Sequence, residues 1–181
     1  LAALAATANK CLHGAPGLSF VMAHPDLWLD AHTEASSVYF NLFDYYHSQQ
    51  SDGFSPFTQA THIAFAFKIA LDEFFESGGW HKRNQLFHSR AKKIADSLLE
   101  LGIKTLLPTV DYSSVLYSYI LPAGVSYTEL HDFLKKNGFV IYKGQGILSE
   151  TIFRISTMGE ITEKKINQLC ALFNKFLRTR K

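Results

Sequence analysis

Cysteine is scarce: Cys11 and Cys170 are the two thiols in 181 residues. Two cysteines make no disulfide framework, and this usage suits a reducing cytoplasm better than secretion. Long hydrophobic runs are missing as well. None reaches the roughly 18 apolar residues that a membrane-spanning helix needs, which argues against a membrane protein. Charge of one sign is not in excess. The 18 Lys and Arg face 16 Asp and Glu, for a net charge of +2, and the basic residues are spread along the chain. No nucleic-acid partner is therefore expected. There is no repeat and no low-complexity tract. The chain also has no initiator Met. Leu1-Ala2-Ala3-Leu4-Ala5-Ala6-Thr7 is apolar but has no charged stretch before it, so it makes a poor signal peptide. It runs into Asn9 without a cap or turn, and the chain is expected to be a fragment of a longer protein. What is present is ordinary for a globular fold: 47% hydrophobic and 19% charged residues. That is enough to build a real core in one domain or one and a half.

The patterning reads as mixed α/β. Short apolar runs at 1–7 and 18–23 suggest strands around a Gly14-Ala15-Pro16-Gly17 turn. Leu27-Trp28-Leu29 suggests one helical turn capped by Asp26, and 49–56 a loop. Residues 61–77 carry apolar side chains at helical spacing up to Gly78-Gly79, and a second helix is expected over 80–101. The last third alternates: a strand over 114–121 and a helix over 126–137 with Ser126 and Glu129 as a capping box. Strands over 139–142 and 152–156 and a final amphipathic helix over 162–180 complete it.

Three places carry candidate chemistry. Lys10 follows an apolar run and precedes the Gly-Pro turn, where a lysine amine can be held near a cofactor aldehyde. The plainer reading is a surface lysine opening a loop. Phe57-Thr58-Gln59-Ala60-Thr61-His62 enters the long helix, and hydroxyls beside free N–H groups at a helix start form an anion site. Simple capping by Thr58 or Thr61 is the alternative. Arg154 sits alone in the apolar strand Phe153-Arg154-Ile155-Ser156. Its guanidinium must find an anion, and its planar fork suits a two-pronged grip on an acid group. An edge-strand arginine paired with Glu150 or Glu160 is the alternative.

Together these motifs resemble a known family. Thr7-Ala8-Asn9-Lys10-Cys11-Leu12-His13-Gly14-Ala15-Pro16-Gly17 is similar to the cofactor-lysine segment of class V, fold-type I pyridoxal-phosphate aminotransferases. Within them it looks most like the 2-aminoethylphosphonate–pyruvate transaminases. Phe57 to His62, Gly138-Phe139-Val140-Ile141-Tyr142-Lys143-Gly144 and Phe153 to Gly159 follow in the family's order. Ser156 stands where the family usually has glycine. The resemblance covers nearly the whole chain but only the C-terminal half of the family's length.

The resemblance implies a fold, a cofactor and a set of roles. The fold would be the C-terminal part of the large cofactor-binding α/β domain at 1–57, linker helices at 58–101 and a small C-terminal α/β domain at 102–181. The cofactor would be pyridoxal 5′-phosphate, carried by Lys10 with Asn9 beside it. Thr58, and Thr61 second to it, would reach the cofactor phosphate across a homodimer interface. Arg154 would bind the acid group of substrate. The implied reaction moves an amino group from 2-aminoethylphosphonate to pyruvate, giving phosphonoacetaldehyde and alanine. An alanine– or serine–glyoxylate aminotransferase, or a non-catalytic fragment with only part of the cofactor site, are the alternatives. The fragment alone is expected to be inactive, since the Gly-rich loop, the stacking aromatic and the Asp of the family would lie upstream of Leu1. His13 is given no role. His24, His32 and His47 lack metal-ligand spacing, so no metal site is expected. His81 and His88 suit a solvated helix face, Cys11 suits packing, and Phe40, Phe43, Tyr45 and Tyr46 form an aromatic cluster that fits core or interface.

Overall fold

A computed structural model describes residues 1–29 and 35–180, so His32 lies outside the described residues. The chain divides into two compact units, Leu1–Glu73 and Phe74–Lys181.

In the first unit, β1 (Ala3–Thr7) pairs antiparallel with β2 (Ser19–Ala23), Ala3 opposite Ala23 and Thr7 opposite Ser19. A 3-10 turn follows at Pro25–Trp28. Its cap is His24, whose Nδ1 accepts from the Asp26 amide at 3.4 Å, and not Asp26 as the sequence suggested. Pro25 sits at the first turn position, where a missing N–H costs nothing. Helix α1 (Leu42–Ser51) has no counterpart in the sequence expectation, which treats its first half as an aromatic cluster and its end as loop. Asn41 caps it by accepting from the Phe43 amide at 3.2 Å. Tyr46 on this helix stacks on Trp28 with centroids 4.6 Å apart. Helix α2 (Thr61–Glu76) lies against the β1–β2 pair: Phe67 stacks on Phe20 at 5.7 Å. Among the described residues of this unit only Ala8 and Ala70 are fully buried, and Leu4, Met22, Phe65 and Ile69 are exposed.

The second unit holds the core. Gly78 and Gly79, with φ of 96° and 65°, separate α2 from α3 (Gly79–Glu100) in a conformation that disfavours any Cβ. A three-stranded antiparallel sheet follows, ordered β3 (Leu116–Ile120), β5 (Ile152–Ser156), β4 (Tyr142–Lys143). β4 is two residues long, shorter than the 139–142 strand expected, and the paired residues begin at Tyr142. Helix α4 (Tyr127–Lys136) starts at the expected capping box, with Ser126 and Glu129 bonded reciprocally, and α5 (Glu163–Arg178) is capped by Thr162.

Alternation sets the faces of the sheet. Phe153 and Ile155 of β5 and Tyr117 and Tyr119 of β3 are buried in one cluster with Ile94, Leu98, Leu130, Leu134, Leu172 and Phe173 from the helices. Tyr119, Phe153 and Phe173 form a continuous stack, centroids 5.4 and 5.6 Å apart, that ties β3 through β5 to α5. Truncating a ring of this kind costs about 3–5 kcal/mol. Arg154, opposite Ser118 on one side and Tyr142 on the other, points to the other face. Among the described residues no helix is long and apolar enough to cross a membrane.

Candidate functional site

Lys10 stands at the tip of a loop that closes on its own backbone. The Ala8 amide donates to the Leu18 carbonyl (3.0 Å), the Gly14 amide to the Ala8 carbonyl (2.8 Å), and the His13 amide to the Lys10 carbonyl (3.0 Å). Ala8 is wholly buried and Gly14 packs so closely that a Cβ there would lie 3.0 Å from the Ala8 oxygen and 3.1 Å from Phe67 Cδ2. A buried hinge thus presents an exposed tip: Asn9 and Lys10 both face solvent. Sequence patterning misses what His13 does here. Its φ is 61°, the left-handed region that histidine tolerates better than most residues, and this lets the chain turn back under Lys10. Lys10 Nζ makes no ion pair or side-chain hydrogen bond among the described residues, so its amine is open to a ligand.

The start of α2 belongs to the same unit. Ile63 in its first turn is in ordinary contact with the position a Cβ on Gly17 would take (3.5 Å), so the helix start lies beside the turn that follows Lys10. The Ile63 and Ala64 amides donate to the Ala60 carbonyl. The cap position is therefore held by alanine, which offers no side-chain acceptor. Thr58 and Thr61 are exposed, and neither hydroxyl accepts from the helix amides. Free N–H groups, two exposed hydroxyls and no anionic cap make a helix end suited to a phosphate.

Arg154 lies in the second unit. β5 is the central strand of its sheet, which corrects the edge-strand alternative. The guanidinium is half-buried and its Nε donates to the Lys143 carbonyl at 2.9 Å. This leaves both terminal nitrogens of the fork for another acceptor. Glu150, one of the two acids considered for it, is bonded to Lys143 Nζ instead, and Glu160 forms no ion pair among the described residues. Lys143 Nζ also lies 6.0 Å over the Tyr127 ring, and the Tyr127 hydroxyl donates to the Ile141 carbonyl at 2.9 Å. Burial raises the Tyr127 phenol above the ordinary tyrosine value, and Lys143 and Arg154 pull in the opposite direction. Two cations and a phenol thus share one neighbourhood, in which Lys143 Nζ is paired with Glu150, the Tyr127 hydroxyl donates to the Ile141 carbonyl, and the Arg154 fork keeps open donors. Lys143 as the seat of Arg154 is not legible in the sequence, because the contact is made by its backbone carbonyl. Lys10, Asn9, Thr58 and Thr61 fall in one unit and Arg154 in the other.

No protein-family model matches the chain. The 2-aminoethylphosphonate–pyruvate transaminase of Bacillus mycoides (strain KBAB4) is 36% identical over 168 residues, 92% of this chain and 46% of that protein. The protein of the same name from Bacillus thuringiensis (strain Al Hakam) is 34% identical over the same share of each. The chain thus spans about half the length of the curated relatives it matches. Among solved structures, an aspartate aminotransferase from Thermus thermophilus superposes with a TM-score of 0.85 at 24% identity, over 99% of this chain and 49% of that one. An alanine–glyoxylate aminotransferase from Nostoc sp. gives 0.85 at 16% identity, over 98% and 48%.

Proposed function

We propose that this chain, a relative of the 2-aminoethylphosphonate–pyruvate transaminases with the fold of half a fold-type I aminotransferase, acts as part of a pyridoxal 5′-phosphate-dependent aminotransferase. The amino donor is 2-aminoethylphosphonate and the acceptor is pyruvate. The residues present fit the cofactor. Lys10 offers an exposed amine on a rigid turn, and the uncapped start of α2 with Thr58 and Thr61 offers donors to a phosphate. When bound, the cofactor supplies the electron sink that lets the amine-bearing carbon of the donor lose a proton.

The chain's own residues have distinct tasks. Lys10 would hold the cofactor through its amine and, once that amine is freed by the incoming donor, would take the proton from the donor carbon and pass it to the cofactor. Asn9 flanks it at the loop tip. Thr58 and Thr61 donate to the phosphate, Thr58 to that of a second copy, so that the working unit is a homodimer. Arg154 grips the phosphonate of the donor or the carboxylate of pyruvate and so fixes where the reacting carbon lies.

One observation supports the reading above the others: a half-buried arginine in a central strand, fixed through Nε to the Lys143 carbonyl, whose fork no carboxylate among the described residues takes up. The test is a donor panel on the full-length protein with pyruvate, read as alanine formed. 2-Aminoethylphosphonate should be the preferred donor. A preference for serine as donor, or more glycine formed when glyoxylate replaces pyruvate in the same panel, would replace this substrate assignment with the glyoxylate-type reaction. No alanine from any donor would overturn the reading.

A further inference from the structure

Arg90 is the one charged side chain among the described residues of α3 that is fully buried, with 7% of its surface exposed. Its Nη1 donates to two backbone carbonyls, those of Thr157 at 3.1 Å and Gly159 at 2.9 Å. Both belong to the turn that leaves β5. No carboxylate among the described residues bonds to Arg90. Glu160 acts on it only through space, and burial pulls its guanidinium below the usual arginine value. A buried cation held by carbonyl oxygens alone is costly, since the pairing that normally offsets desolvation is missing. A buried group of that kind is explained better by what it holds in place than by stability.

What it holds is the end of the strand that carries Arg154. Thr157 is fixed on all sides: its carbonyl by Arg90, its amide by the Val115 carbonyl at 3.1 Å, and its hydroxyl by the Ser114 carbonyl at 2.8 Å. On the other edge of β5, pairing with β4 reaches only as far as Arg154 opposite Tyr142. Beyond that point β4 gives no support, and Ile155, Ser156 and Thr157 border a cavity of about 100 Å³ together with Val140, Ile141 and Arg90 itself. The strand is therefore unsupported on the β4 side just past Arg154, and Arg90 clamps it there from the helix side.

We propose that Arg90 is a positioning residue for substrate recognition. It fixes the exit of β5, and through the strand it fixes the angle at which the Arg154 fork meets the acid group of donor and acceptor. This rests on the proposed role of Arg154. A misplacement of about an ångström in a binding group costs up to about a hundredfold in rate, and loosening one end of the strand should cost about tenfold. Arg90→Met keeps the length and apolar bulk of the stem and removes both carbonyl contacts.

The experiment measures steady-state kinetics of the full-length, cofactor-loaded enzyme for wild type, R90M, R90Q and R154A. Each is assayed with 2-aminoethylphosphonate and with a neutral primary amine as donor. For R90M the KM for the phosphonate donor and for pyruvate should rise about tenfold, with kcat changed by less than about threefold and the neutral amine unaffected. R90Q, whose amide can still donate to one carbonyl, should recover part of the loss, and it carries the test if R90M does not fold. R154A should lose the preference for the acidic donor more completely. If R154A loses that preference and neither R90M nor R90Q moves KM, Arg90 merely supports the core and the proposal is overturned. Equal effects of R90M on the acidic and neutral donors overturn it too. If R154A itself keeps the preference, the assignment of Arg154 has failed, and the role given to Arg90 fails with it.

Discussion

Replacing Gly144 by alanine puts one methyl group where the fold leaves no room. Gly144 is buried just after β4, and an added Cβ would lie 2.2 Å from the Leu148 carbonyl oxygen and 2.7 Å from Ile152 Cγ1. The obstacle is space and not backbone conformation, and the first atom met is backbone, which cannot rotate away. To restore even a tight 3.0 Å approach, Leu148 or Gly144 must retreat by about 0.8 Å, an overpacking strain of about 1–3 kcal/mol. For a protein of this size each kcal/mol lowers Tm by about 2–4 °C. The displacement has a second consequence. Lys143, the preceding residue, provides the carbonyl that holds Arg154 Nε at 2.9 Å, so moving the peptide moves the seat of the fork. Gly144→Ala should therefore both lower Tm and raise KM for the acidic donor. Thermal unfolding monitored by circular dichroism and donor kinetics on the full-length protein check the two effects separately. A variant with wild-type Tm and wild-type KM for 2-aminoethylphosphonate would refute the close approach and the link from Gly144 to Arg154 together.

Other expectations address separate parts of the molecule. Thr58→Val should weaken cofactor binding by about 1.5–3 kcal/mol, the worth of one charge-assisted hydrogen bond, measured by equilibrium dialysis; an active monomer by analytical ultracentrifugation would contradict its service to a second copy. Ser126→Ala should cost about 0.5–2 kcal/mol through loss of the α4 cap. The same change should flatten the acid limb of the stability profile only in part: the residue 126 amide, the larger cause of the lowered Glu129 carboxyl, remains, and only the hydroxyl's share of the stability that is lost as pH falls through the folded value disappears. At the alkaline end, burial first and then Tyr117 and Tyr112 hold the Tyr119 phenol neutral far above the ordinary tyrosine range. The unfolded chain ionises this group from about pH 10 while the folded one does not, so stability should fall by about 1.4 kcal/mol per pH unit above that point. Urea titrations of wild type and Tyr119→Phe between pH 9 and 11 should differ by that slope, and parallel curves would count against the buried phenol.

Local chemistry made much of this architecture readable in advance. The Ser126–Glu129 box, the paired glycines at 78–79 and the apolar spacing of α2, α3 and α5 each rest on interactions within a few residues, and each appears at its expected place. Tertiary contacts decide what was not legible. Helix α1 is weakly amphipathic and rich in aromatic residues, so its helical period is hidden. β4 is only two residues long: residues 139–141 line a cavity together with Ile155, Ser156 and Thr157 and are outside the paired register, an outcome that strand propensity cannot foresee. At the candidate site the residue types that carry chemistry stand out in the sequence, whereas their supports do not. Arg154 is conspicuous in an apolar strand, but its seat is the Lys143 carbonyl. Lys10 is conspicuous before a Gly-Pro turn, but its loop depends on His13 adopting a left-handed conformation. Arg90 looks like one more basic residue on a basic helix until its two carbonyl partners, 67 and 69 residues away, are seen.

The central claim is that the amine of Lys10 holds pyridoxal 5′-phosphate. It is tested most directly by reducing the cofactor-loaded full-length protein with borohydride, digesting it, and locating the cofactor-bearing peptide by mass spectrometry. The cofactor should be fixed to the peptide containing Asn9-Lys10-Cys11, and Lys10→Ala should show no fixed cofactor. Attachment to any other lysine, or none in the wild-type protein, would contradict the account.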